Sequence, residues 1–276
     1  MGIVQVETNY YQQFDADLSR DVPGEGYGGW QRAELPLDLE RTAVVVMHAW
    51  NIGSPEQNPG EFRAVEYVPR SYTISRELFP NLLDSVRRAG MKLFHVVGGP
   101  DYYTHYPGYR LAADLAGTEP EAPERIADDE VQAALRTFRS DRVYPGSNNR
   151  EDMERCAPYV DFLPEAKPQG DEDVAATSRQ LFALCKHYGI SHLIYTGFAI
   201  NGCLLFSPGG MADMTKHGIL CSTIRQAVTA VENKETARLQ LNKEEGLWRV
   251  ALLFGFVYDV NDLTAAINGE EHEDLS

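Results

Sequence analysis

The stretch that most limits how this chain can fold is Thr42-Ala43-Val44-Val45-Val46-Met47. It lacks polar alternation and is rich in β-branched residues, as expected of a central parallel strand covered on both faces. It runs into His48-Ala49-Trp50-Asn51. In open α/β sheets ligands bind beyond strand carboxyl ends, so these side chains are placed where chemistry is expected.

The rest of the chain repeats the theme. An amphipathic helix is predicted over Ser75–Ala89, with Leu78, Leu82, Leu83 and Val86 on one face and Gly90 as its C-terminal stop. Met91–Val97 follows as a strand, giving a β-α-β unit with a right-handed crossover. A helix near Asp129–Thr137 would turn Val131, Ala134 and Leu135 inward, and another is predicted from Asp173 to Tyr188. Leu193–Thr196 reads as a strand, Met211–His217 as a helix and Ile219–Thr223 as a strand. Asn233–Gln240 is expected to be helical, Val250–Val257 a last strand and Asp262–Ile267 a short helix. Strands alternating with helices predict a single doubly wound, Rossmann-like α/β domain over residues 41–268.

Residues 1–40 read as an extension with one short strand at Ile3–Val6. Its aromatics, Tyr10, Tyr11, Phe14, Tyr27 and Trp30, are expected to pack on the body or on a neighbouring subunit. Residues 269–276 form an acidic tail.

Charge narrows the classes of function. The 41 acidic residues outnumber the 25 basic ones, for a formal charge of -16, which disfavours nucleic-acid and membrane-surface partners. No apolar run approaches the ~20 residues of a membrane-spanning helix. The first residues lack both a basic region and an apolar signal core, so a cytoplasmic location is expected. The four cysteines, at 156, 185, 203 and 221, have no CxxC spacing and suggest neither disulfides nor zinc.

One cysteine stands apart. In LIYTGFAINGC a buried strand empties into a turn of small residues that delivers Cys203 to a helix start. Free amides and the helix dipole there favour a thiolate. Cys185 and Cys221 sit inside apolar runs and read as small buried hydrophobes.

TAVVVMHAWN, the Lys167 stretch ahead of a helix ending in Gly189-Ile190, and TGFAINGC followed by a helix occur in order over residues 40–268. Together they resemble the isochorismatase-like cysteine hydrolases, a family of small amidases and isochorismatases. The resemblance implies a six-stranded parallel sheet, no cofactor, a small-molecule substrate and a homo-oligomer. It also implies that Cys203 is the nucleophile, Lys167 the family lysine, and the amides of Ala199 and Cys203 the oxyanion hole. A cis peptide at Phe198–Ala199 would accompany that hole.

The sequence departs from the family where an aspartate is expected and His48 stands, and Trp50 replaces a common glutamine, while Asn51 fits. A histidine can accept the thiol proton, so His48 is the third candidate catalytic residue. Lys167 would then lack its carboxylate partner, for which Glu40 and Asp101 are candidate replacements. Two outcomes follow: a cysteine hydrolase acting on a small amide-type C–N bond, or a silent homologue that binds a ligand or protein. Vinyl-ether hydrolysis of the isochorismatase kind is a third. His48 as a hydrogen-bonded core histidine and Lys167 as a solvated surface lysine are the plain alternatives.

Trp50, Asn51, Tyr102 and Tyr103 are candidate substrate contacts, and the loops 52–72 and 98–165 are expected to line the pocket. Asp101 and His105, with His95 on the preceding strand, lack the Asp-x-His spacing of metal-binding relatives, so no metal is expected.

Overall fold

In the computed structural model, which describes residues 2–118 and 123–269, the chain begins with a hairpin. Strands β1 (Ile3–Gln12) and β2 (Gly29–Asp38) pair antiparallel along their whole length, from Ile3↔Asp38 to Gln12↔Gly29. The single short strand expected here is thus corrected to two long ones. The cause is legible in hindsight: Val4, Val6 and Thr8 alternate with Gln5 and Glu7, which suits a sheet with one wet face. The hairpin packs on its own chain, since Tyr11 sits edge-on against Trp30 and Trp248, and the Trp248 indole donates to Gln13 Oε1 at 2.8 Å.

All six residues of β3 (Thr42–Met47) are buried. Two-residue β4 (Trp50–Asn51) follows, then α1 (Pro59–Ala64) and the 21-residue α2 (Val68–Arg88). The latter starts a full two turns before the expected Ser75, with Pro69 tolerated in its first turn and Pro80 inside it. Phe79, Leu82, Leu83 and Val86 form its fully buried face. After β5 (Lys92–Val96) come α3 (Pro107–Ala116), α4 (Glu130–Arg142), α5 (Arg150–Cys156) and β6 (Asp161–Phe162). Helix α4 has no buried residue, and Val131 and Leu135 are 67% and 60% exposed, so the inward face expected for it is not found. Among the described residues none covers a face of it well enough to bury a side chain.

The helix expected from Asp173 splits. Asp173–Ala175 is strand β7, and α6 (Ser178–Tyr188) begins where Thr177 Oγ1 accepts the Gln180 amide. Next come β8 (His192–Phe198), α7 (Cys203–Phe206), α8 (Met211–Thr215) and β9 (Leu220–Thr229). The helix expected at Asn233–Gln240 is a run of turns, and α9 occupies Leu241–Leu253 instead. The Glu232 carboxylate fixes that start by accepting the amides of Asn242 and Lys243 at 3.1 and 3.0 Å. Of the expected strand Val250–Val257 only Val257 survives, in β10 (Val257–Tyr258), because the run Val250-Ala251-Leu252-Leu253 continues α9. Short apolar runs carry no period that separates strand from helix. Helix α10 (Val260–Asn268) ends the described chain, and the acidic tail beyond it lies outside the described residues.

The main sheet has eight strands in the order β2-β1-β10-β9-β8-β3-β5-β7, not six. Six of them, β10 to β7 in that order, run parallel, and the N-terminal hairpin adds the antiparallel pair at one edge. Alternate residues of β3 feed opposite layers. Val45 and Met47 join Leu181, Leu204, Met211 and Leu247. Val44 and Val46 join Phe79, Leu82, Phe198 and Leu263. From β3 the chain runs outward through β5 and β7, then returns to β3's other side as β8. The crevice at that reversal lies between the carboxyl ends of β3 and β8.

Candidate active site

Two features deform the strand ends so that side chains reach the crevice. His48 adopts φ 50, a left-handed conformation unusual for a residue other than glycine, and Trp50 N–H closes on His48 O at 2.9 Å. Across from it, Gly197 has φ +109, and a Cβ there would lie 2.0 Å from Met47 O. Only glycine lets β8 approach β3 this closely. Past Gly197 the chain passes through a cis peptide at Phe198–Ala199, the bond the family resemblance implies, and reaches Cys203 as the first residue of α7. That helix is a single turn, so it offers free N–H groups more than a long dipole. Among the described residues neither the Ala199 nor the Cys203 amide is taken up by a backbone carbonyl, whereas Ile200 N–H is bound to Thr229 O at 2.8 Å.

His48 and Cys203 line one cavity of about 270 Å³. Its walls come from Trp50 and Ile52, from α1 and its flank (Glu61, Val65), from Tyr67 and Val68, and from Tyr144, Phe198 and Val231. Ile52, Glu61, Val65, Tyr67 and Val68 fall within the loop 52–72, and Tyr144 within 98–165, the two segments expected to line the pocket. Cys203 is partly exposed, while Cys185 and Cys221 are buried in the core, where desolvation pushes each thiol up to about 12.

The imidazole of His48 is dry. It lies flat on the Trp50 indole, with ring centroids 4.4 Å apart and planes at 15°. Its Nδ1 is buried without a hydrogen-bond partner of good geometry. Burial lowers its pKa from 6.5 to about 4, the nearby Val97 backbone only partly opposing this, so the ring is neutral at pH 7. Gly98 makes room for it: a Cβ there would stand 3.2 Å from His48 Nε2.

The other expected site residues divide. Trp50 lines the cavity and is held by its indole N–H donating to Tyr102 Oη at 2.9 Å. Tyr102 and Tyr103 belong to a separate cluster with Val97, Phe162 and Val174, behind the wall. Asn51 is spent on local structure, its Oδ1 accepting from Gly53 N–H and Tyr72 Oη. The structure does not bring Lys167 into the cavity. Its ammonium, half-exposed, donates to Asp161 Oδ2 at 2.7 Å, and that bond raises its pKa. Asp161 lies on β6, which pairs with β4 in the register Trp50↔Phe162, so the ion pair braces the strand behind Trp50.

Glu61, Tyr67 and Tyr144 were not singled out from the sequence. Glu61, not Glu40 or Asp101, is the carboxylate at the cavity. Its only readable signal, Asn58-x-x-Glu61, announces a helix start, and Asn58 Oδ1 does accept the Glu61 amide. The side chain, however, serves another end. Burial raises its pKa, and burial is also the main cause raising Tyr67 and Tyr144, with Glu61 and Cys203 adding to both. Among the described residues no three His, Cys, Asp or Glu side chains converge as a metal site. His95, itself buried, instead faces Glu172 at 2.9 Å, and Glu172 also pairs with the partly exposed Arg87. No described helix is long and apolar enough to cross a membrane.

In sequence, no protein-family model and no curated protein matches the chain. In structure it is similar to a cysteine hydrolase from Pseudomonas syringae, at TM-score 0.52 and 14% identity, over 85% of this chain and 96% of that one. An isochorismatase family protein from Burkholderia thailandensis aligns at TM-score 0.46 and 12% identity, over 83% and 96% of the two chains. An isochorismatase-like hydrolase from Alkaliphilus metalliredigens aligns at TM-score 0.44 and 17% identity, over 82% and 98%. At such identities the likeness is one of architecture, and the chain has the fold of the Pseudomonas syringae cysteine hydrolase.

Proposed function

We propose that this chain is a cysteine hydrolase that cleaves a small amide-type C–N bond through a Cys203 thioester. The observation that supports it is that one cavity carries both a thiol with two unspent backbone amides beside it and a neutral imidazole. Cys203 Sγ attacks the carbonyl carbon while its proton passes to His48, a base that is uncharged and so free to accept. The carbonyl oxygen, now negative, is received by the N–H groups of Ala199 and Cys203. The imidazolium returns its proton to the departing nitrogen as the C–N bond breaks. Water then adds to the thioester with His48 again taking a proton, and the acid leaves as the thiol is restored. An imidazole of pKa about 4 is a weak base but, once protonated, a strong acid toward the leaving amine. Lys167 acts from outside the cavity, through Asp161 and β6, by holding Trp50.

A binding role without turnover is the second reading, favoured by the engagement of Lys167 with Asp161. Incubation with a panel of small amides, followed by ammonia or amine release and intact mass, separates the two. Acylated Cys203 and product release that both vanish in Cys203→Ala support the hydrolase. Turnover that persists in that variant overturns it.

A further inference from the structure

The cavity holds a carboxylate, Glu61, that the proposed hydrolysis does not use. Glu61 is the third residue of α1, where a glutamate ordinarily folds back on the amide of the capping residue. Here the Asn58 amide is already donated to Ser54 O at 2.9 Å. Among the described residues the Glu61 carboxylate makes no hydrogen bond or ion pair, and it faces the cavity that holds Cys203. Among the described residues no lysine or arginine lines that cavity, and besides Glu61 its polar side chains are His48, Ser71, Cys203 and the aromatic groups Trp50, Tyr67 and Tyr144. A half-buried carboxylate without a counter-ion, ringed by aromatics, lacks only a cation. Arg70, next in the chain to Ser71 of the cavity wall, is committed to Glu66 in a two-pronged pair at 2.7 and 2.8 Å and to Thr229 and Ala230.

The geometry points to Glu61 as the recognition group for a protonated amine, so that the molecule entering the Cys203 cavity is a small amide bearing an ammonium group. This rests on the hydrolase reading for the amide and stands apart from it for the ammonium. The formal charge of -16 further favours approach of a cation. Aliphatic amides with a terminal ammonium fit a cavity of about 270 Å³.

The test uses Cys203→Ser, in which binding is read without thioester chemistry. Glycinamide, β-alaninamide and 4-aminobutanamide are titrated calorimetrically against propionamide, butyramide and pentanamide, their neutral counterparts with methyl in place of ammonium. At least one ammonium amide should bind about tenfold or more tightly than its counterpart. Adding Glu61→Gln should bring that ratio close to one, while Glu61→Asp should retain part of it. Matched unfolding temperatures exclude a folding defect. Equal or undetectable binding of both members of every pair, or a preference that survives Glu61→Gln, overturns the assignment. Preferential binding without amine or ammonia release by the unsubstituted protein would overturn the hydrolase reading and leave the role of Glu61 intact.

Discussion

The imidazole of His48 lies flat against the indole of Trp50, centroids 4.4 Å apart, at the end of the central strand. The stack removes water from a side chain that would otherwise titrate near neutrality, and burial lowers its pKa to about 4. Trp50→Ala should therefore raise the His48 pKa toward 6.5, read by the pH dependence of its ring resonances in NMR. Trp50→Phe should leave it low. An unmoved His48 resonance in the alanine variant would mean that Gly98 and the strand end, not the indole, keep the ring dry.

Buried neutral histidines make the fold sensitive to acid. His48 and His192 both titrate at about 4 in the folded chain against 6.5 when free, burial being the leading cause in each. Between those values the unfolded chain binds more protons, so stability is full above pH 6.5 and falls as pH drops toward 4. A shift of this size corresponds to about 3 kcal/mol per histidine. Asp173 works the other way: burial raises it to about 6, so its contribution grows as pH falls through the same window. Urea midpoints at pH 7, 6 and 5 should decrease in that order, and more gently in His192→Asn. A midpoint that rises with acid would contradict the histidine assignment.

Gly197 should be the most costly glycine to replace. Alanine there would have to sit 2.0 Å from Met47 O at φ +109, which separates β8 from β3. We expect Gly197→Ala to cost more than about 3 kcal/mol or to prevent folding. Gly170→Ala, at φ +59 with nothing nearby, should cost about 1 kcal/mol. Comparable melts for the two variants would refute the close approach.

The site residues should separate by kinetics once a substrate is in hand. His48→Ala should lower kcat by about 10²–10⁴-fold, the usual contribution of a proton-transfer group. Lys167→Ala removes a half-exposed ion pair and should cost less than about 1 kcal/mol of stability. Its effect on kcat should be smaller than that of His48→Ala. A loss in Lys167→Ala equal to that in Cys203→Ala would return the lysine to the reacting centre.

Local pattern determined much of this protein. The wholly apolar run of β3, the strand into Thr196-Gly197 and the glycine stop after α6 are contact-poor signals, readable because each follows from covering a strand or ending a helix. They suffice for the parallel sheet and for Cys203 beyond the carboxyl end of β8. Other features needed the folded chain. The hairpin of residues 3–38 is joined to the sheet where β1 pairs with β10, and α9 starts at Leu241, where Glu232 accepts its first amides. Val250–Leu253 is helical for reasons of packing that an apolar run does not state. The pocket wall is the clearest case. Glu61, on the short helix α1, and Tyr144, on an irregular segment, lie 83 residues apart, and Lys167, singled out by spacing, is drawn to Asp161 instead. Side-chain direction is set by tertiary contacts, which have no period along the chain, so the turn that presents Cys203 was legible in the sequence while the carboxylate at its cavity was placed only by the fold.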